Sequence, residues 1–200
     1  AEATYEAAVH RLTEARKTAA VMLDQAVMAE LAPLKMDRAV FATRVTTATT
    51  DSAEGRDVVA FEVAPNPGAP SGPLAKIASG GELSRISLAI QVVTASEGTV
   101  PSMVFDEVDV GIGGAVAEVV GKLLRDLAGQ AQVLCVTHLA QVAAQGHQHL
   151  QVSKTADKKS VQTDLKSLDD SSRVDEIARM LGGVKITKQT LAHAREMLES

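Results

Sequence analysis

Along the first 32 residues, small and apolar side chains return at every seventh position: Tyr5, Leu12, Ala19 and Ala26 on one seam, Ala8, Ala15, Met22 and Ala29 on the other. A heptad of this kind predicts a long helix. Because Ala fills most of both seams, the helix fits either the end of a coiled-coil arm or a surface helix packed on its own domain. Pro33 ends it, since a proline cannot donate the backbone bond that a continuing helix needs. Beyond Pro33 the pattern changes to one of partial alternation. The runs VFATRVTTATT (40–50) and DVVAFEVAP (57–65) are rich in β-branched residues, which predicts a hairpin turning near DSAEG. PNPGAPSGP (65–73) is a loop by its Pro and Gly content.

From residue 80 to 138 the pattern reads helix, strand, helix, strand. ELSRISLAIQVVTAS carries a narrow polar stripe of Ser84, Ser87, Gln91 and Thr94 on an otherwise apolar helix. SMVFDE is a short apolar run closing on two acids. AVAEVVGKLLRDLA places Val116, Val119, Val120, Leu123, Leu124 and Leu127 at helical spacing, and QVLCVTH is a second apolar run ending in a polar pair. Alternation of this type predicts an α/β fold with a mostly parallel sheet flanked by helices, whose ligands gather at the strand C-termini. The runs HQHLQVSK and SVQTDLKSL extend that sheet in this reading. Helices from about Arg173 to Leu181 and from Lys188 to Leu198 close the chain, the first stopped by Gly182 and Gly183.

Composition narrows the function. With 46% hydrophobic residues in 200, the chain can bury a sizeable core, yet it has no Trp and only Tyr5, Phe41, Phe61 and Phe105 as aromatics. That count argues against a base-stacking platform. A net charge of -5 argues against a basic nucleic-acid surface over the whole chain. No signal segment and no apolar stretch of membrane-spanning length is present, so a cytoplasmic protein is expected. The single cysteine, Cys135, sits in an apolar run and reads as a buried, inert thiol. The start, AEATYEAAVH, lacks Met and a helix cap, as expected of a piece of a longer protein.

Candidate chemistry falls in four places. In KIASGGELSR, Ser79 can cap a helix while Gly80 and Gly81 expose backbone N–H groups to an anion, with Glu82 following. The same four residues could equally form a tight turn over a buried helix. Asp106 and Glu107 leave a strand side by side and point different ways, so Asp106 can hold Mg²⁺ while Glu107 polarises a water, or the pair is simply an exposed acidic strand end. Asp109 with Gly111, Gly113 and Gly114 forms a small-residue turn. Thr137 and His138 end the next strand, where an imidazole can meet a phosphate oxygen or serve structure alone. His147 and His149 have no acidic or Cys partner at ligand spacing and read as surface residues.

The order of these pieces resembles the C-terminal lobe of an ATP-binding-cassette ATPase head of the SMC type. ASGGE resembles the signature motif, SMVFDE the Walker B strand, VDVGIGG the D-loop and VTH the switch-histidine loop. Together with VLCVTHLAQVAAQGHQH, these runs resemble an SMC-related protein of bacterial DNA double-strand-break repair, which would place it at the nucleoid. The resemblance implies that Ser79, Gly80, Gly81 and Glu82 contact ATP bound to a second head of a homodimer. It implies that Asp106 supports Mg²⁺, Glu107 is the catalytic base, His138 senses the γ-phosphate and Asp109 lies across the dimer interface. It divides the chain into the end of a coiled-coil arm at 1–32 and an ATPase lobe at 33–200. The sequence holds no Walker A loop: Gly121 and Lys122 are followed by Leu123, with Val116 where the first glycine belongs. The implied partners are therefore an N-terminal lobe carrying Walker A, a second head and DNA, and no membrane. A non-catalytic dimerisation module and the head of another ATPase of this class are the alternatives.

Overall fold

The N-terminal helix is realised as α1 (Glu2–Leu31) in the computed structural model of the chain, which describes residues 2–76, 80–95, 101–106, 108–157, 160–182 and 186–199. Its sheltered positions run Tyr5, Val9, Thr13, Arg16, Ala20, Asp24, Val27 and Leu31, joined toward the C-terminal end by Leu23, Ala26, Met28 and Glu30. Residues eleven apart thus share a face, a period of about 3.67 residues per turn rather than the heptad's 3.5. Of the heptad seams, Ala8, Leu12, Ala15, Ala19, Met22 and Ala29 are exposed.

The sheltered face lies on a hairpin, β1 (Val40–Ser52) and β2 (Gly55–Ala64), paired antiparallel from Val40↔Ala64 to Ser52↔Gly55 with an irregularity after Thr47. Polar residues on α1 hold it there. The Tyr5 hydroxyl donates to the Ser52 carbonyl at 3.2 Å, Arg16 donates to Asp57 and to the Glu54 carbonyl, and Asp24 accepts the Thr43 N–H at 2.8 Å. Gly55 makes the close approach possible. Its φ is +98°, and a Cβ there would lie 3.0 Å from Leu12 Cδ2. Phe41 and Phe61 pack with ring centroids 5.4 Å apart.

After Leu31 the chain passes through a π-helical turn (Ala32–Met36) containing Pro33, which buries Leu34 and Met36. A short β3 (Gly72–Pro73) adds to β2, and α2 (Gly80–Thr94) packs against α1 with Gly81, Ile86, Leu88 and Ala89 buried. These elements belong to one compact unit, Ala1–Gly98, and the remainder to a second, Thr99–Ser200. Within the first unit, α1 and the hairpin share side-chain bonds.

The second unit contains β4 (Ser102–Phe105), α3 (Ala115–Leu127), β5 (Gln132–Cys135), α4 (Ala140–Ala144), β6 (Leu150–Asp157), β7 (Ser160–Ser167), α5 (Asp170–Gly182) and α6 (Lys188–Glu199). Strands β4 and β5 pair in parallel, Ser102↔Gln132 to Phe105↔Cys135, joined by α3 as the alternation predicts. Strands β6 and β7 do not extend that sheet. They pair antiparallel with each other, because two intervening residues allow a hairpin whereas a parallel pairing needs a crossover of a dozen or more. Helix α3 buries Val116, Ala117, Val120, Gly121, Leu124 and Leu127. At Gly121 a Cβ would meet Gln145 Cγ at 2.8 Å and the Gln141 carbonyl at 3.1 Å, so this glycine serves the approach of α4. Helices α4, α5 and α6 close around Ala140, Ala144, Ile177, Ala178 and Ala194. Asp169 accepts the Ser172 N–H at 2.7 Å at the start of α5, and Thr187 accepts the Thr190 N–H at 3.1 Å at the start of α6.

Candidate functional site

Both parallel strands leave the sheet at the same edge. The Val136 N–H donates to the Phe105 carbonyl at 2.9 Å, which aligns the segment after β5 with the segment after β4. Asp106 emerges exposed, Val108 turns back into the core, and the Asp109 carboxylate follows it inward with 2% exposure. Asp109 Oδ2 accepts the Thr137 hydroxyl at 2.5 Å and the His138 backbone N–H at 3.1 Å, and lies 3.2 Å from His138 Nδ1. Thr137 Oγ1 in turn accepts the Leu139 N–H at 3.0 Å, fixing the chain one residue before α4 begins. The imidazole itself stays 68% exposed.

The Cys135 thiol lies just before this segment. Burial pushes it up to about 12, and the negative charges of Asp109 and then Asp106 add to the shift. The thiol is therefore protonated at neutral pH, in line with an inert cysteine.

Asp106, Asp109 and His138 thus come together at one edge. Asp109 turns its carboxylate into its own fold, where the Thr137 hydroxyl and the His138 N–H donate to one of its oxygens. The exposed residues of its turn are Val110, Gly111, Gly113 and Gly114, with Gly111 and Gly114 at φ +74° and +55°. Gly80, Gly81 and Glu82 form the first turn of α2 in the other unit, Gly80 exposed and open to solvent. Ser79 and Glu107 lie outside the described residues.

The inward clamp of Asp109 and the bracing role of Thr137 were not legible beforehand. The available signal was an acid two positions past the Asp–Glu pair and a hydroxyl one position before the histidine. His147 is exposed as expected, but His149 is half-buried with its Nδ1 unpartnered, and burial lowers its pKa against the raising effect of Glu176. Glu176 itself is held by Arg179 at 2.6 Å and by Gln151 at 2.6 Å, which ties α5 to β6.

Among the described residues no group of three or more His, Cys, Asp or Glu side chains is arranged to hold a metal ion. A single exposed carboxylate such as Asp106 still fits Mg²⁺, a hard cation that takes one or two carboxylates and completes its shell with phosphate and water oxygens.

The architecture is that of an SMC head domain. It superposes on a structure described as "Structural biochemistry of ATP-driven dimerization and DNA stimulated activation of SMC ATPases" with a TM-score of 0.56 at 15% identity, covering 86% of this chain and 99% of the other. The Smc head domain with a coiled coil and joint from Pyrococcus yayanosii matches with a TM-score of 0.60 at 18% identity, covering 81% of this chain and 29% of that one. At such identities the likeness is one of fold. In sequence, the chain belongs to the RecN family. It is 49% identical over 98% of its length to the DNA repair protein RecN of Vibrio cholerae, and 45% identical over 94% to that of Streptomyces coelicolor. It spans 35% of the length of each of these relatives. No protein-family model matches the chain. No described helix is long and apolar enough to cross a membrane.

Proposed function

We propose that this chain supplies the signature and Walker B half of the ATP site in a RecN-type ATPase of DNA double-strand-break repair and recombination. The observation that carries the reading is the edge where β4 and β5 end together, with Asp106 exposed and His138 held beside it by Asp109. Glu107, next to Asp106 in the sequence, takes a proton from the water that attacks the γ-phosphorus. The exposed ring of His138 meets the γ-phosphate. Asp106 would hold Mg²⁺, which would supply positive charge beside the phosphate oxygens.

An N-terminal lobe carrying Walker A completes the site. The Ser79–Glu82 stretch of one head then closes on ATP held by the other, and the loop that begins at Asp109 lies across the same interface. ATP binding joins two heads and hydrolysis releases them, which converts a chemical cycle into holding and releasing nucleoid DNA.

The test pairs two neighbouring variants of the complete protein. Glu107→Gln is expected to lower hydrolysis by roughly 10² or more while nucleotide binding persists, so that ATP-bound dimers accumulate. Asp106→Asn is expected to weaken binding and turnover together. Phosphate release measured beside light scattering separates them, and turnover by Glu107→Gln at the wild-type rate would remove Glu107 from the mechanism.

A further inference from the structure

We propose that a cleft in the second unit, bounded by the start of α3, by α4 and by the end of α6, receives an arginine side chain presented by a partner protein. The cleft has a volume of about 370 Å³ and is lined by Glu118 of α3, Gln141 of α4, Gln145 just beyond it, and His193 and Glu196 of α6. Such binding requires no nucleotide and stands apart from the hydrolysis chemistry above.

Gln145 points to an occupant. It is only 5% exposed, yet its carboxamide has no hydrogen-bond partner among the described residues. Its main chain is held, since the Gln145 carbonyl accepts from Arg125 at 2.7 Å, and its stem is seated over Gly121, where no side chain obstructs it. Buried amides are almost always satisfied, so one that lines a cleft without a partner marks where a ligand atom belongs. Gln145 keeps helical dihedrals, φ -76° and ψ -14°, which sets it one turn past Gln141 on the same side of α4.

Charge selects the ligand. The lining carries two carboxylates and neither Lys nor Arg, which repels the phosphates of a nucleic acid. Lys122 reaches Glu118 at 2.7 Å, but through Oε1 alone and as an exposed i,i+4 pair, which binds weakly. Glu196 Oε2 stands 3.6 Å from His193 Nδ1. A guanidinium carries only donors, in a flat fork, so it can give two N–H groups to a carboxylate and another to the Gln145 amide oxygen. Its methylene stem then covers Met197. Gly114 of the exposed glycine turn lines the same cleft, and Gln141 stands three residues past His138, so an occupant touches both segments that leave the strand ends.

The probe is the capped peptide Ac-Gly-Arg-Gly-NH₂, titrated without nucleotide into the ¹⁵N-labelled 200-residue chain. The Gln145 side-chain NH₂ signals, assigned by their loss in Gln145→Met, are expected to shift saturably with a millimolar Kd. Glu118→Gln and Glu196→Gln are each expected to weaken binding at least about fivefold, as are the peptides with citrulline or lysine in place of arginine. Both glutamates are at least half exposed, so these variants keep the fold whatever the fate of Gln145→Met. A response that does not saturate, an equal response to the citrulline or lysine peptide, or wild-type affinity in both glutamate variants overturns the proposal. Self-association of the chain that Glu196→Lys abolishes would give the cleft to a second copy and overturn a separate partner.

Discussion

Arg16 on α1 reaches Asp57 on the hairpin at 3.0 Å, across 41 residues of sequence, and the carboxylate it meets is only 4% exposed. The Thr13 hydroxyl lies 2.9 Å from both oxygens of the same carboxylate. A buried acid thus fastens a helix whose visible pattern pointed to a different face. Burial pushes the Asp57 carboxyl up, but the hydrogen bonds from Arg16 and Thr13 outweigh it and leave it below the usual value of 3.8. A lowered folded-state value means that the stabilisation is complete above 3.8 and is lost as the pH falls through that lower value. The difference in melting temperature between wild type and Asp57→Asn is accordingly expected to hold steady near neutrality and to close in acid. A difference that widens as the pH falls would contradict this.

Gly121→Ala sets two effects against each other. Alanine gains about 1 kcal/mol over glycine in a helix interior, whereas overpacking a tight contact costs about 1–3 kcal/mol. The obstructing atoms include a backbone carbonyl at 3.1 Å, so the steric cost wins. Faster amide hydrogen exchange in α4 is expected, together with slower ATP hydrolysis in the complete protein, since α4 begins two residues after His138.

Cys135 is expected to resist iodoacetamide at pH 8 in the folded chain and to react readily once unfolded, because its pKa stands near 12 in the fold. Asp106→Asn removes the smaller of the two named charges and should quicken the reaction slightly, while burial still governs it. Rapid alkylation of the native chain, followed by mass spectrometry, would contradict this.

Without a Walker A loop, the 200-residue chain is expected to give a flat calorimetric titration with Mg-ATP. In the complete protein, Ser79→Arg is expected to spare nucleotide binding by each monomer and abolish ATP-dependent dimerisation. Micromolar binding by the isolated chain would contradict the half-site reading, and a Ser79→Arg protein that still dimerises would remove the Ser79–Glu82 stretch from the interface.

The strand ends at which the candidate residues stand were legible because strand ends advertise themselves: an apolar run stops and Asp106, or Thr137 and His138, follows. The face of α1 was not. Its sheltered stripe includes Thr13, Arg16 and Asp24, polar residues that hydrophobic patterning assigns to solvent, and their partners lie on a hairpin far along the chain. Alanine compounds the ambiguity by fitting either face. Helix α4 was missed for its length of five residues, too few for a period to show. The separate pairing of β6 and β7 depends on connection length, a cue that strand composition does not carry.

Helix α4 also decides where force on the imidazole goes. It starts immediately beyond the braced segment Thr137–Leu139, and its Ala140 and Ala144 are seated against Ile177 and Ala178 of α5 and Ala194 of α6. The segment Thr137–Leu139 therefore stands on a pier whose footing is α6, some fifty residues downstream. Enlarging Ala194 would tilt that pier from below. A lesion there would present as a chain that folds and holds its His138 ring slightly displaced.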